Sequence, residues 1–158
     1  MEAGNGRREA GTQSRAPIRS YDDLEVYQRS MKLLVPLHTL VRGFPVYERF
    51  ELASQLRRAS KSIPANIAEG YGKKRSAKEF KMYLGHALGS ANEAIVHLKI
   101  ASALEYADES AISGLVAEYT IVAKQLHTLI NAWQTFGGEE GEPVPRPASR
   151  IQHPRSIQ

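Results

Sequence analysis

The sequence predicts an all-α protein: an up-down-up-down antiparallel four-helix bundle with disordered termini. Apolar residues recur at alternating steps of three and four along four consecutive segments, which is the period of an amphipathic helix. Short runs that contain Gly, Pro or Asp separate the segments, and short connections make consecutive helices antiparallel neighbours. With 158 residues, the chain is long enough for one domain.

Both ends of the chain lack the apolar residues that a core requires. Residues 1–20 are rich in Gly, Arg and Ala, and residues 137–158 contain four prolines after a Gly-Gly-Glu-Glu-Gly run. Such segments cannot offset the entropy lost on ordering. We therefore expect a disordered basic tail at 1–20, the bundle at 21–136, and a disordered Pro/Gly-rich tail at 137–158.

The first helix is predicted to begin after Ser20, a candidate N-cap, and to stop at Gly43-Phe44-Pro45. Pro36 has no backbone N–H and crowds residue 32, so we expect a kink there. The apolar stripe predicted for this helix consists of Leu24, Tyr27, Met31, Leu34, His38 and Val41.

The second helix is predicted to run from about 46–48 to Glu69. An interior proline costs about 3 kcal/mol, so Pro64 either kinks this segment or divides it into two helices. Asn66 falls on an apolar position, where a buried amide can fix register or oligomer state. A kink could instead turn Asn66 outward, and both alternatives stay open. The predicted stripe consists of Leu52, Leu56, Ala59, Ile63 and Asn66.

A short basic loop is predicted between the second and third helices. Gly70 and Gly72 can adopt the left-handed conformation that ends a helix. Ser76 and Glu79 have the spacing of a capping box, which starts the next helix. Lys73-Lys74-Arg75 would then lie beside a helix N-terminus, where backbone N–H groups and three cations can bind phosphate.

The third helix, predicted at about 77–106, carries two stripes. The first is a bundle seam made of Phe80, Leu84, Ala87, Ala91, Ala94, Leu98 and Ala101. The second contains Gly85, Gly89, Asn92 and Val96, and a helical glycine costs about 1 kcal/mol relative to Ala. We expect another helix to approach this stripe closely, from the same chain or from a neighbouring subunit, and we favour the neighbour.

The fourth helix is predicted to begin after Ala107-Asp108 and to end at Gly137-Gly138. Its stripe consists of Ile112, Leu115, Tyr119, Val122, Leu126, Leu129, Trp133 and Phe136.

The residue types exclude most catalytic and metal chemistry. The chain has no cysteine, and it lacks the Gly-x-Ser-x-Gly and His-Glu-x-x-His patterns. His86, His97 and Glu93 share a helix face, but the Glu-x-x-His motif of bundle metal sites is absent. No apolar run reaches the roughly 20 residues that span a bilayer. We expect a soluble cytoplasmic protein that is not an enzyme, with no metal, no cofactor and no membrane partner.

Charge is unevenly distributed along the chain. Residues 49–81 contain nine Lys or Arg and three Asp or Glu, a net charge of +6, whereas residues 82–136 contain two and five, a net charge of −3. A basic region can bind phosphates by releasing counterions, although a solvated helix face explains it equally well. The candidate nucleic-acid contacts are Arg57, Arg58, Lys61, Lys73, Lys74, Arg75 and Lys78.

Five short segments occur in order at 21–28, 55–59, 62–70, 76–80 and 89–93, among them Ser62-Ile63-Pro64-Ala65-Asn66-Ile67-Ala68-Glu69-Gly70. Together they resemble the four-helix bundle protein family of ribosomal RNA intervening sequences. The resemblance implies protomers that assemble into ring-like homopentamers, with no established enzymatic activity. A more distantly similar protein, the accessory variability determinant of diversity-generating retroelements, is a basic pentameric barrel that binds a reverse transcriptase and nucleic acid.

The resemblance also implies roles for particular residues. Arg57, Arg58, Asn66 and Glu69 match signature positions of the second helix, and Glu93 matches one of the third. With the two glycines of the third helix, the candidate oligomer-interface residues are Asn66, Glu69, Gly85, Gly89 and Glu93. The chain departs from the family at Pro36 and in its two long tails.

Two functions follow from these observations. The first is a nucleic-acid-associated accessory protein, a homo-oligomer that contacts the phosphates of RNA or DNA without reading sequence. The alternative is a protein-binding scaffold or adaptor with no direct nucleic-acid contact, whose partner could be a reverse transcriptase or another protein.

Overall fold

The computed structural model describes residues 16–136, and within that range every regular element is helical. Single turns of 3-10 helix lie at Tyr21–Asp23 and Val46–Glu48. The five α-helices are α1 (Glu25–Lys32), α2 (Leu34–Arg42), α3 (Leu52–Gly72), α4 (Ala77–Ala103) and α5 (Glu109–Phe136). The predicted all-α class is confirmed, with α1 and α2 together forming the first helix of the bundle. Of the tails predicted at 1–20 and 137–158, residues 1–15 and 137–158 lie outside the described residues.

Each helix of the bundle packs against two others. The most extensive interfaces join α4 to α3 and to α5, while α1 and α2 pack against α3 and α5. The first helix therefore lies diagonally across from α4. The loops before and after α4 are short, so consecutive helices run antiparallel, as a bundle with up-down-up-down topology requires.

The core follows the predicted seams of the third and fourth helices. All seven seam residues of α4, from Phe80 to Ala101, are fully buried. On α5, the stripe from Ile112 to Leu126 is buried, and Leu129 and Trp133 pack against it while remaining partly exposed. Four of the α4 seam residues are alanines, which lets the backbones of α3 and α5 lie close to α4.

The first helix differs from its prediction in which face is buried. Met31, assigned to the core stripe, is 42% exposed. The buried face instead consists of Val26, Ser30, Leu33, Leu37 and Val41. Sequence reasoning missed this stripe because Ser30 interrupts it. The Ser30 hydroxyl donates to the carbonyl of Tyr27 at 2.8 Å, which lets a polar side chain occupy a core position.

The two prolines inside helices, Pro36 and Pro64, affect helix continuity differently. The first helix is interrupted at Leu33, one turn before Pro36, where the proline cannot donate to the carbonyl of Lys32. In contrast, α3 continues through the buried Pro64, so of the two alternatives, a kink or a division, the division into two helices is wrong. The start of α3 also differs, because Val46–Glu48 forms only a 3-10 turn and the α-helix begins at Leu52.

The predicted left-handed ending at Gly70 and Gly72 is wrong, because no glycine within 16–136 has a positive φ. Gly70 is needed for a different reason. A Cβ added there would lie 2.6 Å from Cβ of Tyr83 and 3.1 Å from Cδ2 of Phe80, so only glycine lets α3 approach α4 this closely.

The left-handed residue in the described chain is Glu105, with φ of 57°. It ends α4, where the N–H of Tyr106 donates to the carbonyl of Ala101 at 2.9 Å and the N–H of Glu105 donates to that of Ser102 at 3.0 Å. These are the two hydrogen bonds of a Schellman motif, formed without glycine.

Replacing Gly70 tests the close contact between α3 and α4. Gly70→Ala should lower the free energy of unfolding by about 1–3 kcal/mol, because the added methyl group overlaps Tyr83 and Phe80. Gly72→Ala is the matched control, because its added Cβ would have no atom within 4 Å. Urea denaturation measures the free energy of unfolding of both variants. A Gly70→Ala variant as stable as the control would contradict the close approach.

Candidate nucleic-acid interface

The seven predicted nucleic-acid contacts fall into two groups. Arg57, Arg58 and Lys61 lie in the first half of α3, and we call them the α3 cluster. Lys73, Lys74, Arg75 and Lys78 lie in the loop after α3 and in the first turn of α4, and we call them the loop cluster. Helix α3 rises about 1.5 Å per residue, so about 22 Å separates Arg58 from Lys73. The two clusters are therefore distinct surfaces, one along the first half of α3 and the other after its C-terminal end.

Tyrosines position two ammonium groups of the loop cluster. Lys73 Nζ donates to the hydroxyl of Tyr83 at 2.7 Å, and this hydrogen bond is the main reason that the pKa of Lys73 is raised. Glu69 Oε1 lies 4.0 Å from the same nitrogen. Lys74 Nζ donates to the hydroxyl of Tyr71 at 2.9 Å and lies 4.0 Å from the centre of that ring. The shortest side-chain contacts of both ammonium groups are therefore to neutral tyrosine hydroxyls.

Four of the predicted cations are exposed and have no carboxylate oxygen within 4.0 Å among the described residues. They are Arg58, Lys61, Arg75 and Lys78. Within residues 16–136, these four cations thus have no neutralising partner that would compete with a phosphate, whereas Lys73 of the loop cluster has Glu69 beside it.

The sequence did not identify every cation beside the α3 cluster. Arg42, at the end of α2, and Arg49, after the 3-10 turn, join Arg57 in lining a cleft of about 330 Å³. One guanidinium nitrogen of Arg57 donates to the carbonyl of Arg49 at 2.7 Å. Arg49 belongs to the basic stretch of sequence, but Arg42 lies outside it and joins the cleft only because α2 packs on α3.

The predicted oligomer-interface residues do not share one environment. Asn66 is half-buried and donates to the backbone carbonyl and the hydroxyl of Ser62, both at 2.9 Å. Ser90 of α4 donates to the same hydroxyl at 2.9 Å. Asn66 therefore takes part in a polar link between α3 and α4 within one chain, and it is neither fully buried nor turned outward.

The other interface candidates are exposed. A Cβ added at Gly85 or Gly89 would have no atom within 4 Å, so none of the helices within residues 16–136 covers these glycines. Coverage by one of these helices is therefore wrong, and coverage by a neighbouring subunit stays a prediction. Glu69 forms the ion pair with Lys73, and Glu93 Oε1 lies 3.3 Å from His97 Nε2.

Neither a metal cluster nor a membrane span is found in the part of the chain that the structure describes. Residues 16–136 contain no group of three His, Cys, Asp or Glu side chains close enough to share a metal ion. None of the helices in this range combines the length and the apolar character needed to cross a bilayer.

Comparison with known families agrees with this architecture. Residues 22–128 match the model of the 23S rRNA-intervening sequence protein family. The chain belongs to this family. The resemblance inferred from the five sequence segments is therefore confirmed. No curated protein matches the chain.

A solved structure is also similar to this 23S rRNA-intervening sequence protein. It is the crystal structure of a protein of unknown function from the S23 ribosomal protein family of Bacteroides thetaiotaomicron. The two chains are 29% identical, with a TM-score of 0.59, and the alignment covers 66% of this chain and 97% of the other. Neither description names a reaction or a ligand.

In this family member, Glu48 fixes the turn that carries Arg49 beside the α3 cluster. Glu48 is only 8% exposed. Its Oε2 accepts the N–H of Leu52 at 3.0 Å, which caps the start of α3, and its Oε1 accepts the hydroxyl of Tyr106 at 2.7 Å. Hydrogen bonding to Tyr47 and Glu48 raises the pKa of Tyr106. Glu48 thus links the turn by hydrogen bonds to the start of α3 and to Tyr106, which follows α4.

A double-mutant cycle measures the interaction between Glu48 and Tyr106. Glu48→Ala should lower the free energy of unfolding by about 1–3 kcal/mol, because it leaves the Leu52 N–H and the Tyr106 hydroxyl without their acceptor. Tyr106→Phe should cost about 1 kcal/mol, with a coupling energy of about 0.5 kcal/mol or more. Glu51→Ala is the matched control, because that exposed carboxylate makes no side-chain cap. Additive effects of the two changes would contradict the assigned hydrogen bond.

Proposed function

We propose that this protein is a non-enzymatic, nucleic-acid-associated accessory protein of the cytoplasm that assembles into a ring-like homo-oligomer. In this proposal the α3 cluster and the loop cluster bind phosphates without reading bases. The observation that carries it is the set of exposed cations with no carboxylate partner within residues 16–136: Arg58, Lys61, Arg75 and Lys78.

Electrostatics favour a phosphate polymer as the ligand. A cation that is already paired with a carboxylate displaces few counterions when it binds nucleic acid. An unpaired cation displaces condensed counterions, and the entropy of the released ions favours binding. The clusters lie about 22 Å apart along α3, and phosphates of one strand are spaced about 3.4 Å along a duplex. A single nucleotide cannot reach both clusters, whereas a folded RNA or a duplex can. The name of the family, which refers to 23S rRNA, makes RNA the first ligand to test.

Assembly is supported by the outer face of α4. Gly85 and Gly89 leave that face open, and the apolar side chains Met82, Val96 and Ile100 are exposed on the same helix. A soluble helix gains stability when a neighbour covers such a face. We propose five subunits because the family resemblance implies a homopentamer. The alternative function, a protein-binding scaffold, is favoured by the same apolar residues if a different protein covers them.

The binding proposal predicts a salt-dependent affinity for structured RNA and for duplex DNA. Simultaneous Lys73→Ala, Lys74→Ala and Arg75→Ala changes should weaken binding to both ligands alike. Because each lost phosphate contact removes about 0.9 from the slope of log K against log salt, the slope should fall by roughly 2–3. Mobility-shift titrations at several salt concentrations measure this.

The matched control replaces two exposed lysines outside both clusters, Lys99→Ala on α4 and Lys124→Ala on α5, and should bind as the wild type does. An unchanged slope in the triple variant, or no binding by the wild type at low salt, would refute the phosphate role.

The assembly proposal predicts a defined mass in solution. Light scattering of the wild type should give about five times the 17.5 kDa chain mass. Gly89→Arg should shift the mass toward the monomer, because the long charged side chain would enter the subunit contact. Gly114→Arg on α5 is the matched control, since Gly114 is also exposed and also has no atom within 4 Å of an added Cβ. A monomeric wild type, or an oligomer unaffected by Gly89→Arg, would argue against this interface.

A further inference from the structure

Three apolar side chains are exposed on the turn between α2 and α3. Phe50 is 83% exposed, Tyr47 is 69% exposed and Val46 is 86% exposed. None of these side chains packs in or against the hydrophobic core of the bundle. Single exposed apolar residues are common in soluble proteins, whereas a contiguous exposed apolar patch marks a binding surface.

One arginine of this turn contacts an aromatic ring, and two further arginines lie beside the turn. The guanidinium carbon of Arg49 lies 5.5 Å from the centre of the Phe50 ring, within cation–π range. Arg42 and Arg57 line the adjoining cleft with Arg49. The exposed acid of the turn is Glu51, whereas the carboxylate of Glu48 is buried and occupied by two hydrogen bonds. The surface therefore combines aromatic faces with excess positive charge.

The turn is held in place before any ligand binds. Glu48 ties it to Leu52 and Tyr106, and Phe44 is buried with its ring centre 5.7 Å from that of Tyr106. The Tyr47 ring packs edge to face against Tyr106 at 6.2 Å. A ligand that contacts this turn meets a backbone and a Tyr47 ring that are already ordered, so less entropy is lost on binding.

We infer that Tyr47 and Phe50, with Arg42, Arg49 and Arg57, form a surface that binds unpaired bases of single-stranded nucleic acid. Unpaired bases stack on aromatic side chains, and arginines contact the adjoining phosphates. In a duplex the base faces are covered by neighbouring bases, so this surface distinguishes single strands from duplexes. The inference rests on the proposed nucleic-acid function and adds to it a ligand class and four residues outside the α3 and loop clusters: Arg42, Tyr47, Arg49 and Phe50.

Fluorescence anisotropy with a labelled, unstructured 20-nucleotide RNA and with the duplex of the same sequence tests the inference. Phe50→Ala should weaken single-strand binding about tenfold, the scale expected for loss of one stacked base, and should leave duplex binding unchanged. Phe50→Trp should restore single-strand binding, because it provides an aromatic face. Phe50→Leu should not restore it, because leucine is apolar but cannot stack. Val35→Ala, which removes an exposed apolar side chain from α2, is the control and should have no effect.

Several results would overturn the inference. Equal weakening of single-strand and duplex binding by Phe50→Ala, or no weakening of either, would exclude base stacking. Neither result would contradict the proposed phosphate contacts of the α3 and loop clusters. Rescue by Phe50→Leu would point to an apolar contact instead. A change in oligomer mass on Phe50→Ala, measured by light scattering, would assign this turn to a contact between copies of the chain. If the wild type binds neither ligand at low salt, the proposed function itself fails.

Discussion

The close approach of α3 to α4 is the constraint on which most of the structure depends. Gly70 marks its tightest point, because a Cβ there would lie 2.6 Å from Cβ of Tyr83. Farther along α4, the seam alanines continue the same close contact without large side chains between the backbones. This contact brings the end of α3 beside the start of α4, so that four residues suffice to connect them.

The same contact determines where the positive charges lie. Because α3 ends against α4, Lys73 reaches the hydroxyl of Tyr83 across the interface. At the other end of α3, Glu48 caps the helix and positions Arg49 beside Arg57. Helix α3 has 21 residues and is about 31 Å long, so it separates the two basic regions by most of its length. A ligand that contacts both regions must be extended, whereas a small anion could occupy only one.

The sequence predicted those parts of the molecule that depend on an unbroken apolar period. The seam of α4 was predicted completely, because no polar residue interrupts it. The first helix was predicted less well, because Ser30 satisfies its hydroxyl within its own turn and so occupies a core position that hydrophobic periodicity does not reveal. Gly70 was recognised as a special residue, but its role in close packing depends on a residue ten or more positions away in sequence. Local conformational rules cannot supply that information.

The candidate site shows the same limit. Charge along the chain identified the basic stretch, but it could not show that α3 divides this stretch into two surfaces or that Arg42 joins one of them. Pairing between cations and carboxylates is a property of the folded chain. So is the exposure of Phe50, which in sequence resembles any other apolar residue near a helix start.

Hydrogen–deuterium exchange of the protein with and without a structured RNA tests the central claim most directly. Amide protection reports where a ligand contacts or orders the chain, independently of any substitution. The account predicts added protection in two separate segments, one at about 42–61 and one at about 73–78, with little change along α5. Protection confined to α5 or to the outer face of α4, or no added protection despite RNA binding, would contradict it.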